Sequence, residues 1–263
     1  LVVENNPGSA DVIGFHPAAI INQVNPPPID NHLGRVLRKA GLKRILVPNT
    51  SELHFDVDVP TDLALLGVIG PQRVGPRTAA VLRGNTLFTD AGIGELAERL
   101  RSRSGQLSLC MAGRVETSTL QFFRANFPLR LHCLMEGRGL RYLVDQNETV
   151  ITPTARLVNH GGLEALFDVL LAGVEFVAFD WRPLMVALGK EFRQEDRFCA
   201  DLKLVDQIED PFLREFARLA AQQGPRLILG GHCLVSGGLW QLGREILRAQ
   251  GRQEWRPYPG RII

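Results

Sequence analysis

Apolar and polar positions along the chain fall into runs that predict alternating strands and helices. Residues 1–3 and 10–15 read as short strands on either side of the turn Asn5-Asn6-Pro7-Gly8. A helical piece follows Pro17, and Pro26-Pro27-Pro28 forces an extended connector. Leu33, Val36, Leu37 and Ala40 share one side of a helix over 32–40, with Asp30 or Asn31 as its cap and Gly41 as its terminator. Residues 44–47 form another strand. Phe55-Asp56-Val57-Asp58 then alternates at the period of a half-buried strand, and Pro60 stops it. Thr61 or Asp62 can cap the helix that follows. The order of these elements is that of the closing half of an α/β sheet.

Helices are predicted over 77–82 and 94–103, inside a stretch rich in Gly and Pro at its start. From residue 106 the pattern begins again, with strands at 107–112, 129–135, 174–179 and 226–229 and helices at 118–125, 161–172, 210–222 and 237–249. Strands that are apolar throughout and alternate with helices argue for a mostly parallel sheet covered on both faces. The fold class is therefore α/β in two parts: a first domain over 1–70, a helical linker over 71–105, and a second α/β domain over 106–263.

Composition narrows the setting. The 263 residues are 45% hydrophobic and 22% charged, values of a soluble globular chain. A net charge of +2 gives no electrostatic case for nucleic acid or a membrane surface as partner. No apolar run is long enough to span a bilayer. Four cysteines without short spacing, Cys110, Cys133, Cys199 and Cys233, fit neither a zinc site nor a disulfide framework, so buried thiols in a reducing cytoplasm are expected. The chain opens Leu-Val-Val-Glu-Asn-Asn, with neither an initiator Met nor a signal peptide, and a fragment of a longer protein is expected. Homo-oligomerisation is left open.

Candidate chemistry begins with Asp56 and Asp58. Two apart on a strand, both carboxylates would point to one face, at the strand end where open α/β sheets bind ligands. Such a pair suits Mg²⁺ carrying a substrate phosphate. The same residues also read as a solvated strand end before a helix cap. The stretch Asp56-Val57-Asp58-Val59-Pro60-Thr61-Asp62-Leu63 resembles the closing motif of the nucleotidyltransferase family that includes phospholactate guanylyltransferase and the molybdenum-cofactor guanylyl- and cytidylyltransferases. Val59 stands where that motif usually has Thr. The run from Asn31-His32-Leu33 into Arg35-Val36-Leu37-Arg38-Lys39-Ala40-Gly41 resembles the family's preceding helix and turn, and 9–15 its substrate-side strand. The resemblance covers about the first seventy residues. It implies a Rossmann-like sheet and Mg²⁺-dependent transfer of a nucleotidyl group from a nucleoside triphosphate to a phosphorylated or acidic small-molecule acceptor. Asp58, with Asp56, would hold the metal, and Ser9, Asp11 and Asn31 would face substrate. The family's Gly-rich phosphate loop has no counterpart here and would precede Leu1, so the resemblance predicts a truncated chain or a copy that is not catalytic alone.

A second constellation lies further on. Leu227 to Trp240 reads as a strand, the pair Gly230-Gly231, His232, a loop with Ser236, and the pair Gly237-Gly238 opening a helix. Backbone N–H groups arranged in this way can face an anion, or the glycines can serve close packing with Ser236 as the cap. In a parallel sheet, Arg114, Arg138, Asp180 and Arg182 share an edge with Gly231 and His232, and together they favour a phosphorylated or carboxylated ligand. The same residues also read as ordinary strand ends pairing with one another. Asp196, Arg197 and Asp201 read as a solvated helix face. Alternatives to a transferase are thus a non-catalytic α/β module that binds an anionic small molecule, and a structural protein completed by another chain.

Overall fold

The computed structural model describes residues 1–5, 10, 12–25, 32–47, 50–84, 92–102, 105–145 and 148–255. Compact units are formed by Leu1–His54 and by Phe55–Trp255. Residues 55–70, grouped by sequence with the first domain, are thus part of the larger unit. The smaller unit has a three-stranded sheet of β1 (Val2–Glu4), β2 (Ile13–Phe15) and β3 (Arg44–Leu46), with helix α1 (Leu33–Lys39) between the last two in sequence. β1 is central, antiparallel to β2 and parallel to β3. Glu4 on β1 is buried and lies 3.7 Å from Arg38 and 4.0 Å from Arg44.

The larger unit opens with a departure from expectation. Residues 55–58 form no strand. They are irregular chain between a 3₁₀ turn, Glu52–His54, and helix α2 (Pro60–Ile69). The reason is local: the Asp62 carboxylate accepts the amides of Asp58 at 3.0 Å and Val59 at 2.9 Å, which turns the chain into the helix instead of leaving those donors for a neighbouring strand. Pro60 occupies the first turn, where its missing N–H costs nothing. Helices α3 (Pro76–Gly84) and α4 (Ile93–Ser102) follow, and α4 buries Ile93, Leu96, Ala97 and Leu100.

The sheet consists of β4 (Leu107–Gly113), β5 (Leu129–Met135), β6 (Phe176–Asp180) and β7 (Leu227–Gly230), in the order β5-β4-β6-β7 and parallel throughout. Between and after these strands run α5 (Thr117–Asn126), α6 (Leu140–Asp145), α7 (Pro153–Leu171), α8 (Arg182–Ala187), α9 (Gln194–Asp201), α10 (Pro211–Gln222) and α11 (Gly237–Ala249). Alternation along each inner strand divides the core. Leu109, Met111, Ala178 and Ile228 face the layer made by α2, α4, α5 and α11. Cys110, Ala112, Val177, Phe179, Leu227 and Leu229 face the layer made by α7, α8, α9 and α10. Both faces are covered, as continuous apolar strands require. β5 stands at the edge, and Arg130, His132, Cys133 and Met135 on it are exposed.

Helix starts follow capping rules. Asp210 accepts the Leu213 amide at 2.8 Å before Pro211, and Thr152 accepts the Ala155 amide at 3.2 Å before Pro153. α7 therefore begins before residue 161 and is kinked at Gly162, whose φ of 77° no helix interior accommodates. Cys110 and Cys233 are buried free thiols, whereas Cys133 is exposed and Cys199 half-buried. Among the described residues no helix is long and apolar enough to cross a membrane.

Phe216 of α10 centres the second layer, with ring centroids 5.0 Å from Trp181, 5.3 Å from Phe167 and 6.5 Å from Phe179. Phe216→Ala is expected to lower the unfolding free energy by about 3–5 kcal/mol. The check is the urea midpoint at unchanged slope; a loss under about 1 kcal/mol contradicts this packing.

Candidate functional site

Parallel strands all end on one side, so Gly113-Arg114, Glu136, Asp180-Trp181-Arg182 and Gly230-Gly231-His232 leave the sheet from a single edge. At its centre Asp180, with no exposed surface, meets Arg114. Arg114 Nε donates to Oδ2 at 2.6 Å and Nη2 to Oδ1 at 3.0 Å, and the Arg114 amide adds a third bond at 3.2 Å. Burial pushes the Asp180 carboxyl up, but Arg114 and then His232 outweigh it and hold the group below the usual carboxylate range. The approach needs glycine at 113. Its φ is +102°, and a Cβ there would lie 2.3 Å from the Asp180 carbonyl oxygen.

On the β5 side, the Glu136 amide donates to the Gly113 carbonyl at 2.8 Å. Its carboxylate accepts the Thr154 hydroxyl at 2.5 Å and the Thr154 amide at 3.0 Å, at the start of α7. Oε2 has no partner. Burial raises the Glu136 pKa, against the Thr154 bonds, and Asp180 adds to the rise.

On the α9 side lies a second buried acid. Asp201 accepts Trp181 Nε1 at 2.8 Å and Arg182 Nη2 at 2.5 Å, and the Arg182 guanidinium lies 4.3 Å from the centroid of the Trp181 ring. Asp201 and Asp196 are 1% and 3% exposed, which corrects their reading as a solvated face. Asp196 accepts the amides of Glu209 and Asp210, and Asp201 provides the partner that a buried indole N–H and a guanidinium both require. Arg197, one turn before Asp201, has its basicity lowered by burial and then by Arg182.

The acidic loop reaches the same edge. Thr61 Oγ1 donates to the Leu229 carbonyl at 2.7 Å, so the start of α2 is fastened to the end of β7. A Cβ on Gly230 would stand 3.2 Å from Thr61, and one on Gly231 3.5 Å from Val59. This glycine pair thus admits the helix start. Asp56 and Asp58 are exposed, Asp56 Oδ1 accepts the Val57 amide at 3.0 Å, and Asp58 is close enough to raise the Arg114 pKa.

No protein-family model, curated protein or solved structure matches the chain.

Of the residues selected from sequence, Arg114, Asp180, Arg182 and His232 stand at this edge together. Arg138 lies exposed on the rim, 3.8 Å from Glu116. Ser236 is fully buried and its hydroxyl donates to the His232 carbonyl at 2.9 Å, while a Cβ on Gly238 would strike Leu65 at 2.6 Å. The second glycine pair thus serves close helix packing. Ser9, Asp11 and Asn31 lie outside the described residues. Glu136, Arg197 and Asp201 were missed as site residues, although the four-residue spacing of Arg197 and Asp201 already places them on one helix face. Among the described residues no group of three or more His, Cys, Asp or Glu is arranged to hold a metal ion. A groove of about 750 Å³, lined by Glu95, Glu98, Arg99 and Glu175, lies at the opposite end of the sheet, by the start of β6. It contains none of these groups.

Asp62 gives the site a pH dependence. Burial raises its carboxyl from the ordinary 3.8 to about 7, against the two backbone hydrogen bonds and with Asp201 and Asp58 adding repulsion. The folded state therefore holds this proton more tightly than the unfolded chain. The contribution is complete below pH 4 and is lost as pH rises to about 7. Asp62→Asn keeps an oxygen for the two amides but cannot ionise. Relative to this variant, the wild type should lose on the order of 3 kcal/mol between those limits, at about 1.4 kcal/mol per unit. Urea unfolding of both proteins at pH 4.5 and 7.5 tests it; a constant difference between them rejects the shift.

Proposed function

We propose that the larger unit binds a phosphorylated small molecule at the carboxyl edge of its sheet and supplies the acidic loop of a Mg²⁺-dependent nucleotidyltransferase whose phosphate loop lies outside this sequence, moving a nucleotidyl group from a nucleoside triphosphate to a phosphorylated or acidic acceptor. The observation behind this reading is the position of the acidic loop. Asp56 and Asp58 are exposed immediately before α2, whose start is tied to β7, and Asp58 acts on Arg114 at the end of β4. Residues 55–58 being no strand, the shared face expected for Asp56 and Asp58 is not imposed by a pleat. Mg²⁺ commonly takes only one or two carboxylates and leaves its other positions to water and phosphate oxygens, so Asp58, with or without Asp56, would be enough to hold it. When bound there, the ion would neutralise charge on the transferring phosphate. Asp62 would hold the loop through the amides of Asp58 and Val59, and Arg114 would stand beside the anion's path.

A second reading, a non-catalytic module for an anionic small molecule, is favoured by the arginines of the same edge, which need no metal to attract a phosphate or carboxylate. Thermal unfolding separates the two. The transferase reading expects GTP or CTP to raise the melting temperature only with Mg²⁺, and Asp58→Asn to abolish that rise. Equal stabilisation with Mg²⁺ and with EDTA would reject the metal role and leave the binding module.

A further inference from the structure

We infer that Arg182 and Arg197 together form an oxyanion-binding point, a pair of guanidinium groups that takes the phosphoryl or carboxylate group of a small ligand. The inference rests on the carboxyl edge being the ligand site, as proposed above, but on neither the metal nor the transfer reaction.

Each arginine of the edge can be checked for unspent binding capacity. Arg114 gives one edge of its fork, Nε and Nη2, to Asp180 and balances that buried charge. Arg138 stands on the rim beside Glu116. Arg182 gives Nη2 to Asp201, and its Nη1, shielded from water, has no acceptor among the described residues. Arg197 Nε is also shielded and, among the described residues, also without an acceptor. Folding rarely leaves such donors unanswered, and a ligand can supply the missing acceptor.

Charge agrees with geometry. Arg182 and Arg197 are close enough for the first to lower the basicity of the second, and the buried carboxylate between their helices, Asp201, is already shared between Arg182 and Trp181. Asp196 is spent on the amides of Glu209 and Asp210, and Glu195 is exposed. Both guanidinium groups thus lie within electrostatic reach of one buried carboxylate, Asp201, with Glu195 acting on Arg197 from the surface, and an added anion would lower their mutual repulsion. Stacking on Trp181 fixes the plane of Arg182, and Arg197 sits one helical turn before Asp201, the partner of Arg182, on α9, which packs against β7 and α2. Planar forks of this kind recognise groups that offer two oxygens, either phosphoryl or carboxylate.

The test uses the full chain in EDTA, so that the metal proposal has no part in the outcome. Thermal unfolding and titration calorimetry are run with inorganic phosphate, pyrophosphate and succinate on wild type, Arg197→Gln and Arg197→Lys. The wild type should be stabilised by at least one class, the phosphates or the dicarboxylate, and the responding class identifies the group. Arg197→Gln should weaken that binding about tenfold or more, while its unliganded melting temperature stays equal or rises because the repulsion with Arg182 is gone. Arg197→Lys should bind with intermediate strength. The inference is overturned if no anion binds the wild type, or if Arg197→Gln lowers the unliganded melting temperature and leaves anion binding unchanged.

Discussion

Asp180 ends a central strand without contact with water, and its charge is met by Nε and Nη2 of the Arg114 guanidinium and by the Arg114 amide. Taking two charges out of water is expensive, and only good geometry recovers the cost. That requirement reaches backwards into the sequence. Residue 113 must adopt a φ near +102° and carry no side chain, because the Asp180 carbonyl stands where a Cβ would be. It also reaches sideways: Glu136 hangs from the Gly113 carbonyl and His232 contributes to holding Asp180 ionised. One ion pair thereby sets the relative positions of three strand ends.

Around that pair the edge is arranged as alternating charge. Asp58 and Glu136 act on Arg114, while Asp201 answers Arg182 and Trp181. The acidic loop joins this array because α2 starts against Gly230 and Gly231, not because it extends a sheet. Its anchor, Asp62, is buried and easily protonated near neutral pH, so the loop that carries Asp58 is tied down by a group whose charge changes in the physiological range. On the function proposed above, the exposed carboxylates on one side of the edge and the guanidinium groups on the other would receive an anion that also brings a cation.

The strands of the larger sheet were legible because they are unbroken apolar runs of short length, and their shared edge followed from parallel pairing alone. The start of α10 was legible too, from Asp210-Pro211, whereas α2 starts at Pro60 with Val59 at its cap, ahead of the cap expected at Thr61 or Asp62. Three things were not. The alternation at 55–58 has the period of a strand, yet the nearby Asp62 carboxylate captured its amides and a helix start won over a ladder. The short helices α8 and α9 carry too few residues for a periodic signal, and the burial of Asp196 and Asp201 depends on partners distant in sequence. The glycines at 230–238 carry the same letters whether they cradle an anion or admit a neighbouring helix, and only their contacts with Thr61, Val59 and Leu65 decide for packing.

A double-mutant cycle on Arg114 and Asp180 tests the organising role of their ion pair most directly. Unfolding free energies of Arg114→Met, Asp180→Asn and the double variant are measured in urea near pH 7. Each single change should cost about 3–5 kcal/mol, since it strands one buried polar partner, and the double change should cost clearly less than their sum. Losses that simply add would mean that the two residues act independently and that the edge is held by something else.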